Sequence, residues 1–189
     1  MVQRVKTRRS PHNPPSMKRL NGPLLALTFV LALTIASSAG LVAAAPRSPC
    51  DGLQAAGVLQ QVNAARAQGA VCGRLGGQAP AGALIWSEPL QAMAQQQAAW
   101  MAELGGLNHL GRNGESLAQR AQAADYRYDR IGENLALGQT SLAQALAGWT
   151  ASEGHCLNLY DSRVTEMALA CVPGRDGRPY WAMLTGRPR

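Results

Sequence analysis

Few side chains in this chain could bind a metal or pass a proton near neutral pH. There are three histidines among 189 residues, and His12 lies in a basic N-terminal stretch. The other two stand close to glycine in polar settings, Leu107-Asn108-His109-Leu110-Gly111 and Ser152-Glu153-Gly154-His155-Cys156. Between them, Gly132-Glu133-Asn134-Leu135-Ala136 fences a carboxylate with glycine and apolar residues. Two imidazoles with one or two carboxylates suit a divalent cation such as Zn²⁺, or a proton-transfer site. His109 and His155 are 46 positions apart, so only the fold can bring them together. Taken by spacing alone, they also read as two ordinary hydrogen-bonded or surface histidines. Ser152 is a nucleophile by type and lies three residues before His155, but the chain has no Gly-x-Ser-x-Gly elbow to support a hydrolase triad. Asn134 and Asn158 read as structural hydrogen-bond hubs.

The four cysteines, Cys50, Cys72, Cys156 and Cys171, all follow an apolar leader. An even count in that position reads as two disulfides, and three pairings are open. Spacing favours local closure, Cys50–Cys72 and Cys156–Cys171, each stabilising by roughly 2–4 kcal/mol. A cysteine metal site is the weaker reading, because no Cys-x-x-Cys pair occurs.

The leader itself is explicit. Residues 24–36, LLALTFVLALTIA, follow Lys18 and Arg19, and small residues lead on to Ala43-Ala44-Ala45. A basic region, an apolar core and an alanine-rich exit predict an export signal over residues 1–44, with Met17 an alternative start, and one domain over 45–189. The rival reading is an uncleaved N-terminal membrane anchor. Placing the charges removes a different function. The formal +7 comes from 18 Lys+Arg against 11 Asp+Glu, and six of those bases precede the apolar run while no acid does. Without the six, 12 bases face 11 acids, so no nucleic-acid partner is expected.

Elements able to position these residues follow from periodicity. Residues 53–68 predict an amphipathic helix with Leu53, Ala56, Val58 or Leu59, and Val62 inward and Gln and Arg outward, ended by Gly69. Ser87-Glu88-Pro89 predicts a capped start to a second helix, ended by Gly105-Gly106. A short helix is expected over Glu115–Ala124 and another from Ser141, burying Leu142, Ala145, Leu146 and Trp149. Glu166–Val172 and Arg178–Thr185 read as a β-hairpin, with Trp181 in the core. Arg120, Arg127 and Arg130, interleaved with Asp125 and Asp129, read as a solvated and self-paired surface. Helices first and strands late predict an α+β domain with helices packed on an antiparallel sheet.

Several strings in this order are similar to one family. Leu59-Gln60-Gln61-Val62-Asn63-Ala64-Ala65-Arg66 resembles the opening helix of the CAP superfamily, the cysteine-rich secretory, antigen 5 and pathogenesis-related proteins. Trp86-Ser87-Glu88-Pro89-Leu90 resembles the start of its next helix. The stretch from His109 through Gly114, Arg120 and Tyr126 to Gly132-Glu133-Asn134-Leu135-Ala136 looks like the short bacterial SCP-like extracellular branch. Trp149-Thr150-Ala151-Ser152-Glu153-Gly154-His155-Cys156-Leu157-Asn158 is similar to that branch's Trp-x-x-Ser-x-Gly-His-x-x-Asn motif, and Tyr180-Trp181 to its closing strand. The resemblance spans about residues 53–184.

It implies an α-β-α sandwich with a central cleft lined by two His and two acidic residues. His109, Glu133 and His155 match three of the four, and the two histidines are the implied metal ligands. The fourth place holds Ser152 where eukaryotic relatives carry an acid. The adjacent Glu153 stands where the bacterial branch usually has Pro, and on a helix it would point the other way. The resemblance therefore implies an exported, non-enzymatic binding protein for a divalent cation (Zn²⁺, not required for the fold), a small or lipidic ligand, or an envelope component. Two other classes compete. One is a metal-assisted hydrolase of peptides or cell-wall material with Glu133 as its base. The other is a secreted protein-interaction module.

Overall fold

The computed structural model describes residues 48–189; the leader, the alternative start at Met17 and the cleavage region lie outside the described residues. Among the described residues no helix is long and apolar enough to cross a membrane. Helix α1 (Ala55–Gln68) is followed by a small antiparallel pair, β1 (Ala70–Val71) and β2 (Gly77–Gln78), on either side of a 3₁₀ turn. Next come β3 (Ile85–Trp86), α2 (Glu88–Leu104), α3 (Leu117–Ala123), β4 (Tyr128–Leu137), α4 (Leu142–Ala151), α5 (Glu153–Leu159), β5 (Glu166–Pro173) and β6 (Pro179–Pro188). The main sheet runs β3-β5-β6-β4, with β3 parallel to β5 and the other pairs antiparallel.

Side-chain alternation along β5 and β6 builds the two halves of the core. Met167, Leu169, Trp181 and Met183 face one side with Val58, Val62, Leu146, Trp149 and Leu159 of α1, α4 and α5. Ala168, Ala170, Tyr180, Ala182 and Leu184 face the other with Leu90, Met93, Met101 and Ala121 of α2 and α3. An α-β-α sandwich results. Trp149 and Trp181 are core residues as expected, and each indole N–H finds a carbonyl, Leu135 O and Gln139 O, both at 2.9 Å.

Several details differ from the sequence reading. The buried stripe of α1 is Val58, Val62 and Arg66, so Arg66 is not outward. Fully buried, it donates to Gly82 O, Leu159 O and Asp161 O, tying α1 to the turn after α5. Ser87 occupies the N-cap of α2 without a side-chain cap; its backbone N–H is spent on Met167 O of β5. The third helix begins two residues later than expected, behind a capping box of Ser116 and Gln119. Strand β4 and helix α5 were not expected at all. Gly132, Glu133 and Asn134 break the apolar alternation that marks a strand, because at these positions β4 carries polar groups inward.

The disulfides overturn the local pairing. Cys50 bonds to Cys171 and Cys72 to Cys156, across sequence separations of 121 and 84 residues. Cys50 leads into α1, whose packing brings it to the end of β5. Cys72 follows α1 and meets the inward face of α5, where Cys156 is fully buried. Neighbours in sequence are thus placed on different elements. Loops this long give a larger unfolded-state constraint, about 4.5–5 kcal/mol each on chain-entropy grounds, than the local pairs would have done.

Candidate functional site

Strand β4 lies at the sheet edge, and consecutive residues on it serve opposite faces. Glu133 shares its side with Leu135, toward α2 and α3, and Asn134 shares its side with Ala136, toward α4 and α5. The edge of β4 is therefore where a residue carried after α2 can meet one carried by α5. His109 comes from the α2–α3 connection and His155 from α5.

Glu133 is nearly inaccessible, 5% exposed, and both its oxygens are committed. Oε1 lies 2.8 Å from His109 Nδ1, and Oε2 accepts from Arg120 Nη2 at 2.8 Å. The same Nη2 reaches His109 O at 3.2 Å, so one guanidinium holds both the carboxylate and the backbone that carries the ring. A carboxylate can only accept, which places the proton on Nδ1 and leaves the Nε2 lone pair toward solvent. The ring of His109 is 61% exposed.

His155 is anchored differently. Its Nδ1 lies 3.0 Å from Ser152 Oγ, at the junction between α4 and α5. Its backbone O accepts from Asn134 Nδ2 at 2.9 Å, and Asn158 Nδ2 in turn reaches Asn134 Oδ1 and Glu133 O. Asn134 and Asn158 are thus the hydrogen-bond hubs that the sequence suggested. Gly132 makes room for them: a Cβ there would stand 3.1 Å from both Asn158 Oδ1 and Thr185 Oγ1. Burial, and then the neighbouring His109, depress the proton affinity of His155 below the usual imidazole value.

Ser152 enters the site through its hydroxyl. Glu153 does not. It turns toward the Cys72–Gly76 turn, where Oε1 accepts from Arg74 N at 2.9 Å and pairs with Arg74 Nε at 3.3 Å. Successive residues at the start of α5 point apart, which sends Glu153 away from the side that His155 occupies. The sequence reading also misplaced Arg120. It belongs to the buried face of α3 with Ala121, not to a solvated surface, although Arg127 and Arg130 do pair with Asp125 and Asp161. Helical spacing from Leu117 to Arg120 and Ala121 was the signal that could have revealed it.

An open pocket of about 400 Å³ lies against this edge, lined by His109, Glu133 and Asn158 and by Leu110, Leu117 and Ile131. Leu107 and Leu110, on either side of His109, are both about half exposed. Among the described residues no group of three His, Cys, Asp or Glu side chains could together hold a metal ion. Of the two imidazoles, His109 lines this pocket, with the carboxylate behind it already paired to Arg120.

The sequence model of the cysteine-rich secretory protein family matches residues 59–184. Among curated proteins there is no match. Two solved structures share the fold. One is an extracellular protein containing an SCP domain from Bacillus anthracis, 22% identical, with TM-score 0.54 over 70% of this chain and 41% of that one. The other is an outer surface protein from Borrelia burgdorferi, 18% identical, with TM-score 0.58 over 72% of this chain and 97% of that one. The present chain thus spans less than half of the Bacillus protein. With the family match covering the helices, the sheet and the His–Glu edge alike, the chain belongs to the cysteine-rich secretory protein (CAP) family.

Proposed function

We propose that this is an exported CAP-domain binding protein whose His109–His155 cleft takes a divalent cation such as Zn²⁺, or a small ligand with an apolar part. One observation carries the reading: each histidine has its Nδ1 occupied, by Glu133 or by Ser152, so both rings offer Nε2. At His109 the carboxylate fixes both tautomer and orientation, as second-sphere partners of metal-binding imidazoles do; at His155 the serine hydroxyl, able to donate or accept, fixes the orientation. Two imidazoles are fewer than the three protein ligands of most catalytic zinc sites, so binding is weaker and leaves positions for water or a ligand. A bound Zn²⁺ would supply Lewis acidity; His109 and His155 would hold it, and Glu133 would orient His109 without ligating. The exposed Leu107 and Leu110 offer an apolar fringe for the lipidic version of the ligand. Two long-range disulfides fit a protein made for an oxidising, extracytoplasmic setting.

The hydrolase reading finds no support in the geometry. Glu133 is 5% exposed and already holds His109 and Arg120, so an attacking water has little access to it as a general base.

Calorimetric titration with Zn²⁺ near neutral pH tests the proposal. The wild type should bind one ion, and His109→Ala and His155→Ala should each lose that binding. Equal binding by wild type and the double alanine variant would reject the cleft as the cation site.

A further inference from the structure

A second pocket, lined by neither histidine, shares Arg120 with the Glu133 site. It has a volume of about 330 Å³ and is lined by Gln97, Ala99 and Trp100 of α2, and by Arg112, Glu115 and Arg120. Six buried side-chain polar atoms lack a hydrogen-bond partner among the described residues, and four of them belong to residues of this one pocket. They are Arg120 Nε, Arg120 Nη1, Trp100 Nε1 and Gln97 Oε1. Arg120 is 8% exposed and Gln97 1%. Leaving such groups unpaired costs roughly 1–3 kcal/mol apiece, so a concentration of four calls for a partner.

The inventory says what kind. Three N–H donors stand with one carbonyl acceptor, and the charged groups around them are already used. Both oxygens of Glu115 are taken by Asn113, Arg112 pairs with Glu103, and Arg120 Nη2 is spent on Glu133 and His109 O. A carboxylate or phosphate would face Glu115 and would leave Gln97 Oε1 against negative charge. An amide satisfies both sides, its C=O accepting from Arg120 or Trp100 and its N–H donating to Gln97. Ala99 and the indole ring of Trp100 supply an apolar wall, and the Arg112 guanidinium sits 5.0 Å from the centre of that ring. We propose that this pocket is a second binding site, taking the N-acetyl amide group of a small ligand such as an N-acetylated amino sugar or amino acid. It is independent of cation binding at the histidines, and either can fail without the other.

Nitrogen-15 NMR titration of the disulfide-intact protein tests it. The Trp100 indole N–H resonance, identified by its loss in Trp100→Phe, should shift saturably with N-acetylglucosamine or N-acetylalanine methyl ester. It should not shift with glucosamine or alanine methyl ester, which carry no amide. Whichever acetylated compound binds identifies the carrier. Trp100→Phe should weaken binding about tenfold by removing one buried donor. Ala99→Phe should block binding while keeping the wild-type unfolding midpoint. No shift of Trp100 at saturating acetylated compound, or an equal shift with the compounds lacking the acetyl group, would overturn the proposal and leave the four atoms to be served by water.

Discussion

At the scale of the residue, the site depends on one guanidinium as much as on the histidines. Arg120 holds Glu133, both of them buried, and Glu133 holds the largely exposed ring of His109. Removing one partner of a buried ion pair strands the other. Arg120→Met should therefore cost about 3–5 kcal/mol in urea unfolding, and the double change with Glu133→Leu should cost less than Arg120→Met alone. The neighbouring carboxylate makes the opposite case. Glu153 meets Arg74, whose side chain is 94% exposed, so Glu153→Gln should change stability by less than about 0.5 kcal/mol and leave cation affinity untouched. His109, Glu133 and His155 could be singled out in the sequence through the family strings that carry them; by type and spacing alone the two imidazoles read equally as ordinary histidines. The burial of Arg120 was not visible, because a buried arginine and a solvated one look alike until helix phase is taken into account. Ser152 was visible only as the residue standing where an acid was expected; its bond to His155 depends on the turn between α4 and α5.

Elements were legible in proportion to their apolar periodicity. Helices α1, α2 and α4 and the β5–β6 hairpin follow regular patterns, and the structure bears them out to within a few residues. Strand β4 was hidden by the polar residues that make the site, an instance of function breaking a local rule. The cysteine pairing was illegible for a different reason. Loop entropy ranks pairs by sequence distance, whereas packing of α1 against the sheet and of α5 beside the 3₁₀ turn decides which sulfurs meet. The Cys72–Cys156 bridge fixes α5 one residue from His155. Replacing both cysteines with serine should lower stability by about 2–5 kcal/mol in thermal unfolding, and it should weaken cation binding because the start of α5 loosens.

Across the whole molecule, Asp161 ties α1 to the edge strand β4 at the rim of the sheet. Its carboxylate pairs with Arg163 and with Arg130 of β4, while its backbone O accepts from the buried Arg66 of α1. Burial alone would raise the carboxyl, but the bonds from Arg163 and Arg130 outweigh it and bring it from 3.8 down to about 2. A depressed acid contributes stability that is present above its unfolded value and lost as pH falls through its folded one. Stability should therefore decline between about pH 4 and pH 2, and Asp161→Asn should remove that part of the acid dependence. The α-β-α arrangement was foreseeable from the order of the elements and from the family strings. That one edge strand would hold His109 through Glu133 and the His155 backbone through Asn134 was not, since it depends on β4.

The central claim is that both imidazoles present Nε2 to one ligand while their Nδ1 atoms stay engaged. Long-range ¹H–¹⁵N NMR of the histidine rings during a Zn²⁺ titration reads those nitrogens individually. The account predicts that Nε2 of His109 and of His155 shift together at one equivalent of zinc, with His109 Nδ1 remaining protonated. A zinc-induced change at Nδ1 of His109, or a response from one ring without the other, would contradict it.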